Sequence, residues 1–101
     1  MKSEKRDTLQ ELEQGLGVGS KFRVTLHLVL NNNEAFTKYA LVKATGLKTH
    51  VVEEQLETLV ELGWVKAHSF TPATYQTNME NEVVTRFHEF LISLKHVRKR
   101  A

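Results

Sequence analysis

Apolar and polar positions along the chain sort into six segments. In Ser3–Gln14, SEKRDTLQELEQ, and just beyond it, Leu9, Leu12 and Leu16 fall at intervals of three and four, which predicts a short amphipathic helix. Asp7 or Ser3 would cap it and Gly15 would stop it. Its apolar stripe is narrow, so the helix needs a neighbour to dock on. The next segment, GSKFRVTLHLVLNNN, carries two periods at once. Phe22, Val24, Leu26, Leu28 and Leu30 alternate as in a strand. Phe22, Leu26 and Val29 also mark one face of a helix, with Ser20 placed as its N-cap. Asn31-Asn32-Asn33 ends the element on either reading.

The remaining segments each carry one period. Thr37–Thr45, TKYALVKAT, predicts a short helix capped by Thr37 and closed by Gly46. Lys48–Leu62 predicts a longer one, with Val52, Leu56, Leu59 and Gly63 on one stripe. WVKAHSF and TYQTNM are two short strand-like runs around Thr71-Pro72-Ala73, a natural hairpin connection. Glu80–Arg98 predicts a long helix in which Val83, Phe87, Phe90, Leu94 and Val97 are spaced 4-3-4-3, with Val84 and Leu91 widening the seam. The order is three helices, a hairpin and a helix after the leading one. Within it, two helices joined by a Gly-containing turn of about four residues make a helix-turn-helix.

Composition narrows this picture. A chain of 101 residues is one domain with a modest core, divided as an N-terminal helix and linker (1–19), a central unit (20–78) and a C-terminal helix with a basic tail (79–101). Apolar residues make 41% and charged residues 26%, as in ordinary globular proteins. There is no cysteine, which excludes disulfides and thiolate metal sites and leaves the core and oligomerisation as sources of stability. No apolar run approaches the ~18 residues that span a bilayer. The segment MKSEKRDTLQ lacks the apolar core of a signal peptide, so a cytoplasmic location is expected, nucleoid-associated if the protein binds DNA. The net charge of +2, with a pI near 9.0, permits nucleic-acid binding without pointing to it, because the distribution of charge matters more than its total.

Ser20 to Lys95 resembles the winged helix-turn-helix family, in particular small dimeric regulators of the ArsR and MarR type common in archaea. GSKFRVTLHLVL looks like the first core helix of such proteins. FTKYALVKATGLKTHVVEEQLETLVELGWV is similar to their helix-turn-recognition-helix-strand run, with Thr45-Gly46-Leu47 at the turn. YQTNMENEVVTRFHEFLISL looks like the second wing strand running into a dimerisation helix. The resemblance implies an α+β, mostly helical fold with a two-stranded wing, and it favours the helical reading of Lys21–Leu30. It also implies a homodimeric DNA-binding transcriptional regulator that sets Lys48–Leu62 into the major groove, two copies reading half-sites about one turn, ~34 Å, apart.

On that reading Lys48, Thr49 and His50 at the start of the recognition helix are the candidates for base or phosphate contact. Lys38, Lys66 and His68 would position the DNA backbone, and Val83, Phe87, Phe90 and Leu94 would hold the dimer. Lys21, Arg23 and Lys43 could touch phosphates or be plain solvated surface. Against DNA stand Glu54, Glu57 and Glu61, which ~100° per residue puts opposite Val52, and Glu53 beside them. Acids repel phosphate, although near a helix N-terminus they also offset its dipole. The hairpin tip, Thr71-Pro72-Ala73-Thr74, lacks the Arg or Lys of many DNA-contacting wings. Two alternatives follow: a winged-helix protein–protein interaction module of a transcription or replication assembly, using the acidic face, and a chromatin-type binder using the basic termini. Trp64 and Tyr75 read as core lids.

No metal and no cofactor are expected. His88 and His96 are eight residues apart, ~12 Å on a helix, too far to share one ion. Nor is an enzyme expected, since no nucleophile elbow, Gly-rich phosphate loop or clustered Asp/Glu/His set occurs.

Overall fold

The computed structural model describes the backbone of residues 8–100 and the side chains of residues 10–94. Within them the chain runs α1 (Thr8–Leu16), α2 (Phe22–Leu30), β1 (Phe36–Thr37), α3 (Lys38–Thr45), α4 (Thr49–Glu61), β2 (Val65–His68), β3 (Thr74–Thr77) and α5 (Glu82–Arg100). The fold is α+β and mostly helical, with one antiparallel sheet in the order β1-β3-β2.

The double period of the second segment resolves as helix, and the packing explains why it looked like a strand. Helix α2 is buried on two opposite faces. Val24 and Leu28 enter a core with Leu41 of α3, Val52, Leu56 and Leu59 of α4, and Val65 of β2. Leu26 and Val29 enter a second core with Val84 and Leu91 of α5. A helix that is apolar all round has no polar face to reveal its period. Trp64 packs against both cores, and Tyr75 covers the first, so both act as lids. The six largest fully buried side chains are Leu28, Leu41, Leu59, Val24, Val52 and Val84. Each stabilises the fold by about 1.5–3 kcal/mol relative to an exposed position.

Helix α3 matches its sequence signals. The Thr37 Oγ1 accepts from the Ala40 amide at 3.1 Å, and Gly46 closes the helix in the left-handed region at φ 74°. Any side chain at Gly46 would be strained there, and that conformation turns the chain sharply into α4.

Four expectations need correction. The sheet has three strands rather than two, because β1 pairs with β3 (Phe36↔Tyr75, Thr37↔Thr74). Two residues are too few to show a period, and Thr37 serves as both sheet residue and helix cap. Helix α1 ends at Leu16, before Gly17 at φ 69°, so Gly15 lies inside it. Ser20 is not the side-chain cap of α2; Lys21 occupies that position without a side-chain hydrogen bond, and backbone turns at Gly19 and Ser20 lead in. Helix α5 starts at Glu82 rather than Glu80, because Asn81 Oδ1 accepts from the Val84 amide at 3.2 Å and caps it. Ser3 and Asp7 lie outside the described residues, as do the side chains of Leu9, His96, Val97 and the rest of the basic tail.

Side chains of the sheet and its flanks tie it to α2. The buried Thr77 hydroxyl donates to the Leu28 carbonyl at 2.6 Å, and Gln76 Nε2 donates to the Asn32 carbonyl at 3.2 Å. Replacing Thr77 by Val keeps the shape but removes the hydroxyl from its buried acceptor. Thr77→Val is therefore expected to lower the unfolding free energy by about 1–3 kcal/mol in urea titrations, and Thr77→Ser to cost less. Equal stability of Thr77→Val and the parent chain would deny the bond this role.

Candidate nucleic-acid interface

The chain enters α4 through an extended Lys48 whose carbonyl accepts from the Val51 and Val52 amides at 3.0 and 3.1 Å. Lys48 sits in the cap position, yet no side chain caps this helix. The Thr49 and His50 amides therefore have no side-chain acceptor from the cap, and the helix dipole adds partial positive charge there. Lys48, Thr49 and His50 are all exposed. Lys48 forms no salt bridge among the described residues.

The helical projection of the acids holds. Glu54, Glu57 and Glu61 are exposed opposite the fully buried Val52, and Glu53 is exposed beside them. Charge reasoning from the sequence missed what two of them hold. Lys38 Nζ of α3 lies 2.6 Å from Glu53 Oε2, and Lys21 Nζ, just before α2, lies 3.0 Å from Glu54 Oε1. Two lysines considered for phosphate contact are thus engaged by the glutamates that seemed to oppose DNA. The signal was present in the sequence as opposite charges on elements destined to pack around one core. It could not be used without the crossing geometry of those elements.

These ion pairs shift the titration of Glu54 and of Lys38. The hydrogen bond from Lys21, then its positive charge, hold the Glu54 carboxyl below the ordinary glutamate value, and His50 adds in the same direction. The hydrogen bond to Glu53 raises Lys38 above the ordinary lysine value, against a smaller opposing effect of desolvation. All four side chains are substantially exposed, so solvent screens both pairs and their contribution to stability is small.

The other candidates scatter. Lys66 of β2 lies 3.7 Å from Glu80, a loose and exposed contact. The His68 ring stacks on Phe70, centroids 5.8 Å apart and planes at 23°, which extends the shared face of Lys66 and His68 beyond the strand. Phe70 is 67% exposed in the hairpin loop. On α5 the predicted seam divides. Phe87 and Leu94 pack against the second core of their own chain, Phe87 with its ring 6.1 Å from that of Phe22. Val83 and Phe90 stay exposed at 56% and 46%.

No group of three or more His, Cys, Asp or Glu side chains among the described residues could hold a metal ion. No helix among them is long and apolar enough to cross a membrane. Comparison with protein-family models, with curated proteins and with solved structures finds no match for this chain.

The Lys21–Glu54 pair has a direct test. A depressed carboxyl titration adds stability at neutral pH that is lost as the pH falls through the folded midpoint. Carboxyl-detected NMR should find the Glu54 midpoint below that of an ordinary glutamate, and Lys21→Met should raise it. A Glu54 midpoint that ignores Lys21→Met would remove the pair from solution.

Proposed function

We propose that the chain is a winged helix-turn-helix protein that binds duplex DNA as a homodimer and regulates transcription. One observation carries the reading. The start of α4 exposes Lys48, Thr49 and His50, with no side-chain cap and no salt bridge to the described residues, and the two glutamates that follow are compensated by lysines. Phosphate attraction needs net positive potential at the point of approach, not over the whole molecule. With Glu53 and Glu54 compensated, Lys48 and the Thr49 and His50 amides keep that potential.

The order of elements supports the same reading: two helices and a tight Gly46 turn, preceded by a short strand and followed by a hairpin that pairs with it. Lys48, Thr49 and His50 then meet the groove or its edge phosphates. Lys66 and His68 contact the backbone from the hairpin. Lys38 takes a different part from the one first considered: it holds Glu53 away from the phosphate. The dimer forms through the outer face of α5, where Val83 and Phe90 are one heptad apart and remain uncovered in the single chain. Phe87 and Leu94 support that face from beneath.

DNA retention should therefore fall steeply with salt. Lys48→Ala is expected to reduce the slope of log affinity against log salt by about 1, and Lys48→Glu with Lys66→Glu to abolish binding. Binding of random and genomic duplexes at low salt, followed by anisotropy, measures both; absence of retention by the parent protein would defeat the DNA reading. Val83→Asp with Phe90→Asp should yield a folded monomer by light scattering, since neither side chain is needed by its own core. A persistent dimer mass in that variant would place the interface elsewhere.

A further inference from the structure

Beyond its first turn α4 changes character. Glu53, Glu57 and Glu61 follow one another at intervals of four, so they stack along one edge of the helix. Glu53 is compensated by Lys38, but Glu57 and Glu61 form no ion pair or side-chain hydrogen bond with the described residues. Like charges at this spacing repel, so the helix keeps this pair at some cost.

These two acids line an open groove with a charged rim and an apolar floor. Ala67 of β2 has the same parity as the buried Val65, so it faces the helix layer, yet it is exposed. Its small side chain leaves the wedge between α4 and the sheet open. Leu56 and Val60 line the helix side of this opening, and Ala67 and Tyr75, paired across the two strands, line the sheet side. The Lys38–Glu53 pair borders the groove as well.

We propose that this groove docks a short cationic segment of a partner protein. An apolar side chain of the segment seats on Val60, Ala67 and Tyr75, and flanking Arg or Lys side chains pair with Glu57 and Glu61. Charge complementarity selects this occupant: two uncompensated carboxylates beside an apolar floor reject nucleic acid and acidic peptides, and they match an arginine-rich strand or turn. The site is separate from the proposed DNA contact, because nine steps along the helix, roughly 13 Å, separate Lys48 from Glu57.

A fluorescent peptide of alternating arginine and leucine, titrated against the full chain, tests the proposal. Glu57→Gln with Glu61→Gln should weaken binding about fivefold, and Glu82→Gln with Glu89→Gln on α5 should leave it unchanged. Serine in place of the peptide's leucines should weaken it about tenfold. Ala67→Leu, which fills the groove, should do the same, with thermal unfolding confirming that each variant is folded. Lys48→Ala should not affect the peptide, so DNA binding and groove binding can fail separately. The proposal is overturned if the parent chain does not bind the peptide. Equal losses from the two glutamine pairs, or indifference to the leucines, also overturn it by showing only diffuse charge attraction.

Discussion

The burial of α2 on two opposite faces is the constraint on which the other elements depend. Val24 and Leu28 meet α3, α4 and β2, while Leu26 and Val29 meet α5. A nine-residue helix would be marginal alone in water. Here it is the shared wall of two apolar clusters, so α5 and the α3–α4 pair are positioned through it. Its carbonyls are drawn in too: Leu28 accepts from Thr77, which locks the central strand of the sheet to the same helix. Trp64 then closes the gap, touching both clusters at the exit from α4.

This double burial also explains what could be read from the sequence. Helices α3 and α4 have a solvated face, so their period showed, and the signals at Thr37 and Gly46 marked the ends of α3 correctly. Helix α2 has almost no solvated face, and 3.6-residue geometry then puts Val24 and Leu28 opposite Leu26, which imitates the alternation of a strand. Strand β1 was invisible for a different reason. Phe36 and Thr37 become a strand only because Tyr75 and Thr74 lie beside them, a partnership that no local pattern encodes. The seam on α5 was legible as apolar but not as divided. Seven apolar positions over four turns cannot tell whether one partner or two will cover them, and in the chain Val84 and Leu91 go to the core while Val83 and Phe90 face outward.

The candidate site was legible by residue type and not by pairing. Exposure of Lys48, Thr49, His50 and the four glutamates followed directly from the position of Val52. The partners of Glu53 and Glu54 did not, because Lys38 and Lys21 belong to elements whose approach to α4 is set by the core. Charges from separate elements converge where hydrophobic packing brings them, and their meaning changes when they do. A lysine that would attract phosphate becomes a screen for a carboxylate.

Along α4 the result is a helix with two electrical halves. Its start exposes Lys48, Thr49 and His50 with no side-chain cap, followed by two compensated acids. Its last turns have Glu57 and Glu61, uncompensated by any described residue, beside apolar Val60 and exposed Leu62. At about 0.15 M salt charges are screened over roughly 8 Å, so the two ends act as separate electrostatic surfaces although they share one rigid rod. On the proposed readings, a polyanion would meet one end and a cationic, partly apolar segment the other. Under the proposed function the four glutamates do not oppose a DNA contact, because Glu53 and Glu54 each meet a lysine of their own chain and Glu57 and Glu61 lie in the far half of the helix.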